Sequence, residues 1–321
     1  SVGASLRAPA FGKRNRDDTR GCASISWTRG KATCDPAMAS NLPPLPTLRS
    51  SWKVDLSKCV DASPLLVGHD DGCVTCVIGS HAGALSAIDL ASGDVRWRAS
   101  LPDRLEASCC VVPPPAALIQ AVAEETLNGI VLIGSHDEHM HALRLDNGTR
   151  LWSRRCRGAL KAAAAPFPMP LYSPAVVAVG ACFGGSFFAV DSWSGRTLWE
   201  GACDGPVYAT PLIDEARARV ITASLRGTVQ SWHAEACGAG LPFEPTWRFA
   251  TPAAEPIFSS PALAAHGTAI VFGCADGKLY ALDADAGACL WTHDTRGAIF
   301  CAPCVVPARA ASGEVVLVTS D

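Results

Sequence analysis

Four groups of residues in this chain have types and spacings that could do chemistry. Cys109-Cys110 is a vicinal thiol pair, able in principle to close as a disulfide against a quinone cofactor. His136, His139 and His141 crowd into H-D-E-H-M-H, where His139 and His141 would share one face of a strand and suit a metal. Cys73/Cys76 and Cys301/Cys304 both read C-x2-C, the spacing of a zinc knuckle. Asp89, Asp191 and Asp283 each stand before a Gly-containing turn, and each alone has the look of an acid–base group.

None of the four completes a site. A quinone site also needs acidic and amide ligands for Ca²⁺ and a catalytic Asp, and these cannot be assigned, so Cys109 and Cys110 read as buried thiols on an inner strand. His136 repeats the position of His81 and its group spans a hairpin turn, so surface or seam histidines are expected. The two C-x2-C pairs fall at different points of the repeat, and residues i and i+3 of a strand face opposite ways. The three Asp recur in one column, which argues for turn capping. There is no Gly-rich phosphate loop, serine-hydrolase elbow, H-E-x-x-H helix or carrier-type Gly-Gly-Asp-Ser. The sequence therefore assigns no catalytic residue, no cofactor-binding residue and no metal ligand.

The elements that position these residues come from a repeat. Trp52, Trp97, Trp152, Trp199, Trp247 and Trp291 follow one another at gaps of 45, 55, 47, 48 and 44 residues. Four of the lead-in segments superpose: AIDLASGDVRW, ALRLDNGTRLW, AVDSWSGRTLW and ALDADAGACLW. Gly93, Gly148, Gly195 and Gly287 share a column and mark a hairpin turn. A second column follows each Trp: DASP (61–64), EAS (106–108), AAP (164–166), ATP (209–211), SSP (259–261) and CAP (301–303). A third is a short apolar run ending in small residues: CVIGSH, VLIGSH, VAVGAC, VITASL and IVFGCA, with Gly83, Gly227 and Gly277 turning the chain beyond it. Each repeat reads as four strands, in the first at about 63–67, 74–80, 84–89 and 94–99.

Four strands per ~45 residues is the period of a propeller blade. The expected fold is all-β, a β-propeller of about five and a half four-stranded blades over residues 51–321, incomplete at its C-terminal end. Neighbouring blades must cover each other's faces, and the Trp rings would fill those seams with their N–H groups on carbonyls. Repeat two carries an insertion around 113–128, whose AALIQAVAEETL could form a short helix. Repeat three has an Ala/Pro-rich stretch at 162–174. Repeat four replaces the Asp/Gly turn with HAEACGAGLPFEPTW. An unclosed ring would expose a sheet edge and aggregate readily.

Residues 1–50 lack apolar periodicity and read as a flexible linker. The chain starts at Ser1 without an initiator Met and reads as a fragment. Net charge is −3 with 49% apolar and 18% charged residues, which favours neither nucleic acid nor an anionic membrane as partner. No apolar run reaches the ~18 residues of a membrane span, and no secretory signal is visible. Fifteen Cys without such a signal suggest free thiols in a cytoplasmic setting.

The residues after the marker Trp (Lys53, Arg98, Ser153, Glu200, Arg248, Thr292) exclude the Trp-Asp repeat of WD40 propellers. The pattern A-x-D-x-x-[ST]-G-x-x-x-W instead resembles the Trp-docking PQQ repeat of quinoprotein alcohol dehydrogenase-like propellers. WKVDLSKCVDASPLLV, VIGSHAGALSAIDLASGDVRW, DRLEAS, IGSHDEHMHAL and FSSP resemble the C-terminal propeller of the β-alanine-activating enzymes, members of the acyl-CoA synthetase family. That resemblance covers residues 51–321 and is strongest in the first two repeats. It implies a parent ligase that adenylates β-alanine with ATP and loads it onto a phosphopantetheine carrier. The partners it implies are the chain's own upstream ligase and carrier domains and an acyl-acceptor protein. This chain would be a non-catalytic scaffold or docking module needing no cofactor, PQQ included. Two other classes stay open: a quinone (PQQ)-dependent oxidoreductase and a free-standing protein-interaction propeller.

Overall fold

The computed structural model describes residues 26–28, 31–33, 50–114, 129–167, 177–234, 244–307 and 314–320. Five antiparallel sheets of four strands follow one another along the chain, and a sixth contributes two strands. Within each sheet, strands pair in sequence order, the meander of a propeller blade. The innermost strands are Leu65–Gly68, Cys110–Val112, Ala165–Phe167, Leu212–Asp214, Ala262–Ala264 and Cys304–Pro307. From the second blade onward each touches the next, so they line a common axis. The outermost strands are Val95–Ser100, Arg150–Arg155, Thr197–Ala202, Trp247–Ala250 and Cys289–Asp294.

The first repeat forms strands at Leu65–Gly68, Val74–Gly79, Ala84–Asp89 and Val95–Ser100, within two residues of the sequence reading. Inside 1–50, Ser26–Thr28 pairs with Lys31–Thr33. The possible helix of the repeat-two insertion lies outside the described residues, as do 168–174 of the Ala/Pro-rich stretch and 235–243 of repeat four.

Why the repeat carries Trp and Gly is visible in the seams. An ideal Cβ built on Gly93 would lie 2.5 Å from Trp52, one on Gly148 2.5 Å from Trp97, and one on Gly195 2.7 Å from Trp152. Gly287 meets Trp247 in the same way. Each indole therefore lies on the turn glycine of the following repeat, not of its own. That glycine also sits at φ between +68° and +82°, where a side chain would be strained. The indole N–H donates to a carbonyl of the same turn: Trp52 to Leu90 (2.9 Å), Trp97 to Leu145 (2.8 Å), Trp152 to Ser192 (3.0 Å) and Trp247 to Ala284 (3.2 Å). Burying one indole removes about 150–250 Å² from water, roughly 4–6 kcal/mol before ordering costs. In blades one, two, three and five a β-bulge directly precedes the Trp. Ala87 pairs with Trp97 but Ile88 with Val95, leaving Arg96 as the extra residue, and the same shift recurs before Trp152, Trp199 and Trp291.

The turn Asp residues cap, as their recurrence implies. Asp89 Oδ1 accepts from the N–H groups of Ala91 and Ser92, Asp191 from Trp193 and Ser194, and Asp283 from Asp285 and Ala286. Blade four puts Trp232 and His233 in the columns where blades one, three and five have an aliphatic residue and Asp. Its seam with blade three is filled by Phe187 against Trp199 (5.5 Å) and Trp232 (4.7 Å). Among the described residues Trp291, on the outer strand of blade five, has no glycine turn against it and is 44% exposed.

Two column assignments shift in the structure. The N–H of Phe183 bonds Ala159 just as His81 bonds Cys59 and His136 bonds Arg104, so Phe183, not Cys182, holds the histidine position. The N–H groups of Leu105, Leu160 and Val207 bond Ser80, Ser135 and Cys182 in one register. This places Lys161-Ala162-Ala163 over Glu106-Ala107-Ser108, two residues before the AAP match. A run of four alanines lets a residue-by-residue match slide, whereas backbone hydrogen bonds do not.

Candidate functional site: an axial arc

From blade two onward each inner strand is preceded by a buried aliphatic anchor and then by a residue near the axis. The anchors are Leu105, Leu160, Val207, Ile257 and Ile299, all fully buried. The residues after them are Glu106, Lys161, Tyr208, Phe258 and Phe300, with Asp61 in the same place in blade one. Hydroxyls two residues further on tie blade to blade: Ser63 N–H to Ser108 Oγ (2.9 Å), Ala163 N–H to Thr210 Oγ1 (3.2 Å) and Thr210 N–H to Ser260 Oγ (2.9 Å). The arc is thus pinned at its base by apolar anchors and interblade hydrogen bonds.

Its two halves differ in chemistry. In blades one to three, Glu106 is the hub. Its carboxylate lies 3.0 Å from His136 Nε2, 3.3 Å from Lys161 Nζ, 3.3 Å from Arg104 Nε and 4.0 Å from His81 Nε2. His81 Nε2 in turn lies 2.9 Å from Asp61. The imidazole contacts are close but off the hydrogen-bond line. The Glu106 side chain is 10% exposed. Burial pushes its pKa up, but His136 and Lys161 outweigh that and hold it below the usual carboxylate range. Lys161 Nζ stands 4.9 Å over the Phe183 ring and 5.8 Å over Tyr208, handing the charged half to the aromatic half. Tyr208 then meets Phe258 at 5.5 Å, and Phe258 meets Phe300 at 5.4 Å. Burial, then the charges of Glu106 and Asp61, raise the Tyr208 pKa, so the phenol keeps its proton. Such a surface offers ion-pairing groups at one side and aromatic contact at the other, with Phe300 and Phe183 exposed.

Of the residues singled out in the sequence, only His136 meets the arc, at Glu106. Cys109 packs in the core of blades one and two, and Cys110 in that of blades two and three; neighbouring residues of an extended chain face opposite seams. Burial raises both thiol pKa values, that of Cys110 to about 12. His139 and His141 do stack on one strand, rings 5.9 Å apart. Asp137 takes up both: its carbonyl lies 2.7 Å from His139 Nδ1 and its carboxylate 2.9 Å from His141 Nε2. His136 is separate, on Glu106. Cys73 is exposed while Cys76 is buried. Cys301 bonds Thr319, and Cys304 is exposed. The arc itself escaped the sequence reading because its column has no common residue type. Its signal was positional, the residue after the aliphatic anchor.

Among the described residues no helix is long and apolar enough to cross a membrane. The fold is similar to that of BamB from Moraxella catarrhalis, with TM-score 0.50 and 18% identity over 83% of this chain and 87% of that one. In sequence, the chain is 51% identical over 67 residues to the β-alanine-activating enzyme of Mus musculus, a stretch covering 20% of this chain and 6% of the relative. The Homo sapiens enzyme matches at 47% over 66 residues, with the same coverage. The Drosophila melanogaster enzyme is 26% identical over 281 residues, 76% of this chain and 26% of that enzyme. The chain thus spans about a quarter or less of the curated relatives it matches. Residues 56–321 match the family described as the β-propeller of the β-alanine-activating enzyme, and it is to this family that the chain belongs.

Proposed function

We propose that this chain is a non-catalytic propeller module of a multidomain, ATP-dependent acid–thiol ligase working in the cytoplasm. In this reading the parent adenylates β-alanine and loads it onto a phosphopantetheine carrier outside residues 1–321. The propeller is a scaffold that docks the carrier, or the acyl-acceptor protein, on its axial arc. One observation carries the reading. The repeated Asp, Trp and Gly residues are consumed in capping turns and docking blades, whereas the arc presents paired charge beside exposed aromatic rings, the makings of a docking face. Free cysteines at every described thiol support a reducing compartment.

The test is to titrate the chain with the phosphopantetheine-loaded carrier domain of a β-alanine-activating enzyme. A saturable one-to-one complex is expected, weakened by Lys161→Glu and by Phe300→Ser. Absence of binding to both carrier and ligase domains would overturn the docking role. A saturating absorbance change on PQQ titration with Ca²⁺ would instead favour the quinone-dependent oxidoreductase; none is expected.

A further inference from the structure

We infer that blade one carries a zinc-type metal site formed by Cys59, Asp61 and His81. Ligand atoms of the three side chains all lie within 4.8 Å of one another, and Asp61 Oδ2 is 2.9 Å from His81 Nε2. The backbone builds this proximity. Cys59 and Asp61 are two residues apart in the loop that leads into the first blade. The His81 N–H bonds the Cys59 carbonyl at 3.0 Å, and Ser80 Oγ donates to the Leu56 carbonyl at 2.9 Å, which locks the histidine turn onto the segment.

The equivalent positions in blade two show what is unusual. The same backbone register there holds Arg104, Glu106 and His136, and the Arg104 guanidinium lies 3.3 Å from the Glu106 carboxylate. Blade two therefore brings its own fixed cation to a carboxylate–imidazole pair. Blade one has a thiol in the place of that arginine. Thiolate, imidazole and carboxylate are the donor set of Zn²⁺, and three protein ligands leave one tetrahedral position open. The site borders an open cleft of about 530 Å³ lined also by Lys58, Asp103 and Arg104. Lys58 and Arg104 are the cations on the cleft wall; Arg104 is paired with Glu106, which lies 4.0 Å from His81 as an outer carboxylate.

The experiment loads the full chain, stripped with chelator under reducing conditions, with Co²⁺ alone. One equivalent is expected to give thiolate-to-cobalt charge-transfer absorption that Zn²⁺ bleaches and Mg²⁺ does not. Cys59→Ser should abolish the band, and Cys73→Ser, at another exposed thiol, should leave it. His81→Ala and Asp61→Asn should each weaken Co²⁺ binding roughly tenfold or more. Cys59 and Asp61 are exposed, so their variants should keep the far-ultraviolet and Trp emission spectra of the parent. No band, a band that survives Cys59→Ser, or binding unaffected by His81→Ala would each overturn the site.

Discussion

Trp97 and Trp291 hold the same place in two blades, each just after a bulge on an outer strand, yet their surroundings differ. Trp97 is 8% exposed, lies on Gly148 and donates to Leu145; Trp291 is 44% exposed. The bulge aims the ring in both cases. What buries it is the glycine turn of the next repeat. The Trp motif is therefore half of a device that needs a seat in the next blade: a glycine turn for Trp97, and for Trp199, which no glycine of the described residues seats, the cluster with Phe187 and Trp232 that leaves it 5% exposed.

Trp97→Ala should break that contrast most strongly, lowering stability by about 3–5 kcal/mol, while Trp291→Ala should stay within about 0.5 kcal/mol. Urea denaturation of the two variants side by side is the measurement. Gly148→Ala comes next. Its Cβ would meet Trp97 at 2.5 Å and its φ is +73°, so overpacking and backbone strain should together cost about 2–4 kcal/mol. Gly277→Ala isolates the strain, since φ is +82° but the nearest atom is 3.4 Å away; a cost of about 1–2 kcal/mol is expected. Equal losses at the two glycines would show that the indole contact is unimportant.

Thiol labelling sharpens the comparison between seam and surface. In the chelator-stripped protein Cys59, Cys73, Cys289 and Cys304 should react without denaturant, and Cys109 and Cys110 only with it. Raising the pH to 9 should not change this order, because burial holds the Cys110 thiol at about 12. The smallest effect expected is at Asp89. Its hydrogen bond from Arg96, with those from Ser92 and Ala91, lowers its pKa from 3.8 to about 2. A carboxylate depressed in the folded state stabilises above its unfolded pKa and loses that contribution as pH falls through the folded value. The stability gap between the parent and Asp89→Asn should thus be full above about pH 4 and close towards pH 2, as followed by melting temperature.

Much of this was legible because it rests on residue identity at fixed spacing. Trp, Gly and Asp recur, and each has one physical job in a seam or turn. The sequence also shows both columns of the Trp–Gly device, but not that each Trp pairs with the glycine of the next repeat; that follows from three-dimensional stacking. The axial arc was harder. Asp61, Glu106, Lys161, Tyr208, Phe258 and Phe300 share a position and no chemistry, so nothing repeats except the aliphatic residue before them. Cys59, Asp61 and His81 were missed for a related reason. They lie in a loop and a distant turn, which the bonds from His81 N–H to the Cys59 carbonyl and from Ser80 Oγ to the Leu56 carbonyl bring together.

The forward docking of each indole also has a consequence in time. Trp52, Trp97, Trp152 and Trp247 wait for Gly93, Gly148, Gly195 and Gly287, which emerge about 40–50 residues later during synthesis. At about 5–20 residues per second, each ring spends roughly 2–10 s exposed before its seat exists. A ribosome-bound chain should therefore always carry one unseated indole, a moving target for chaperones that advances blade by blade until translation ends.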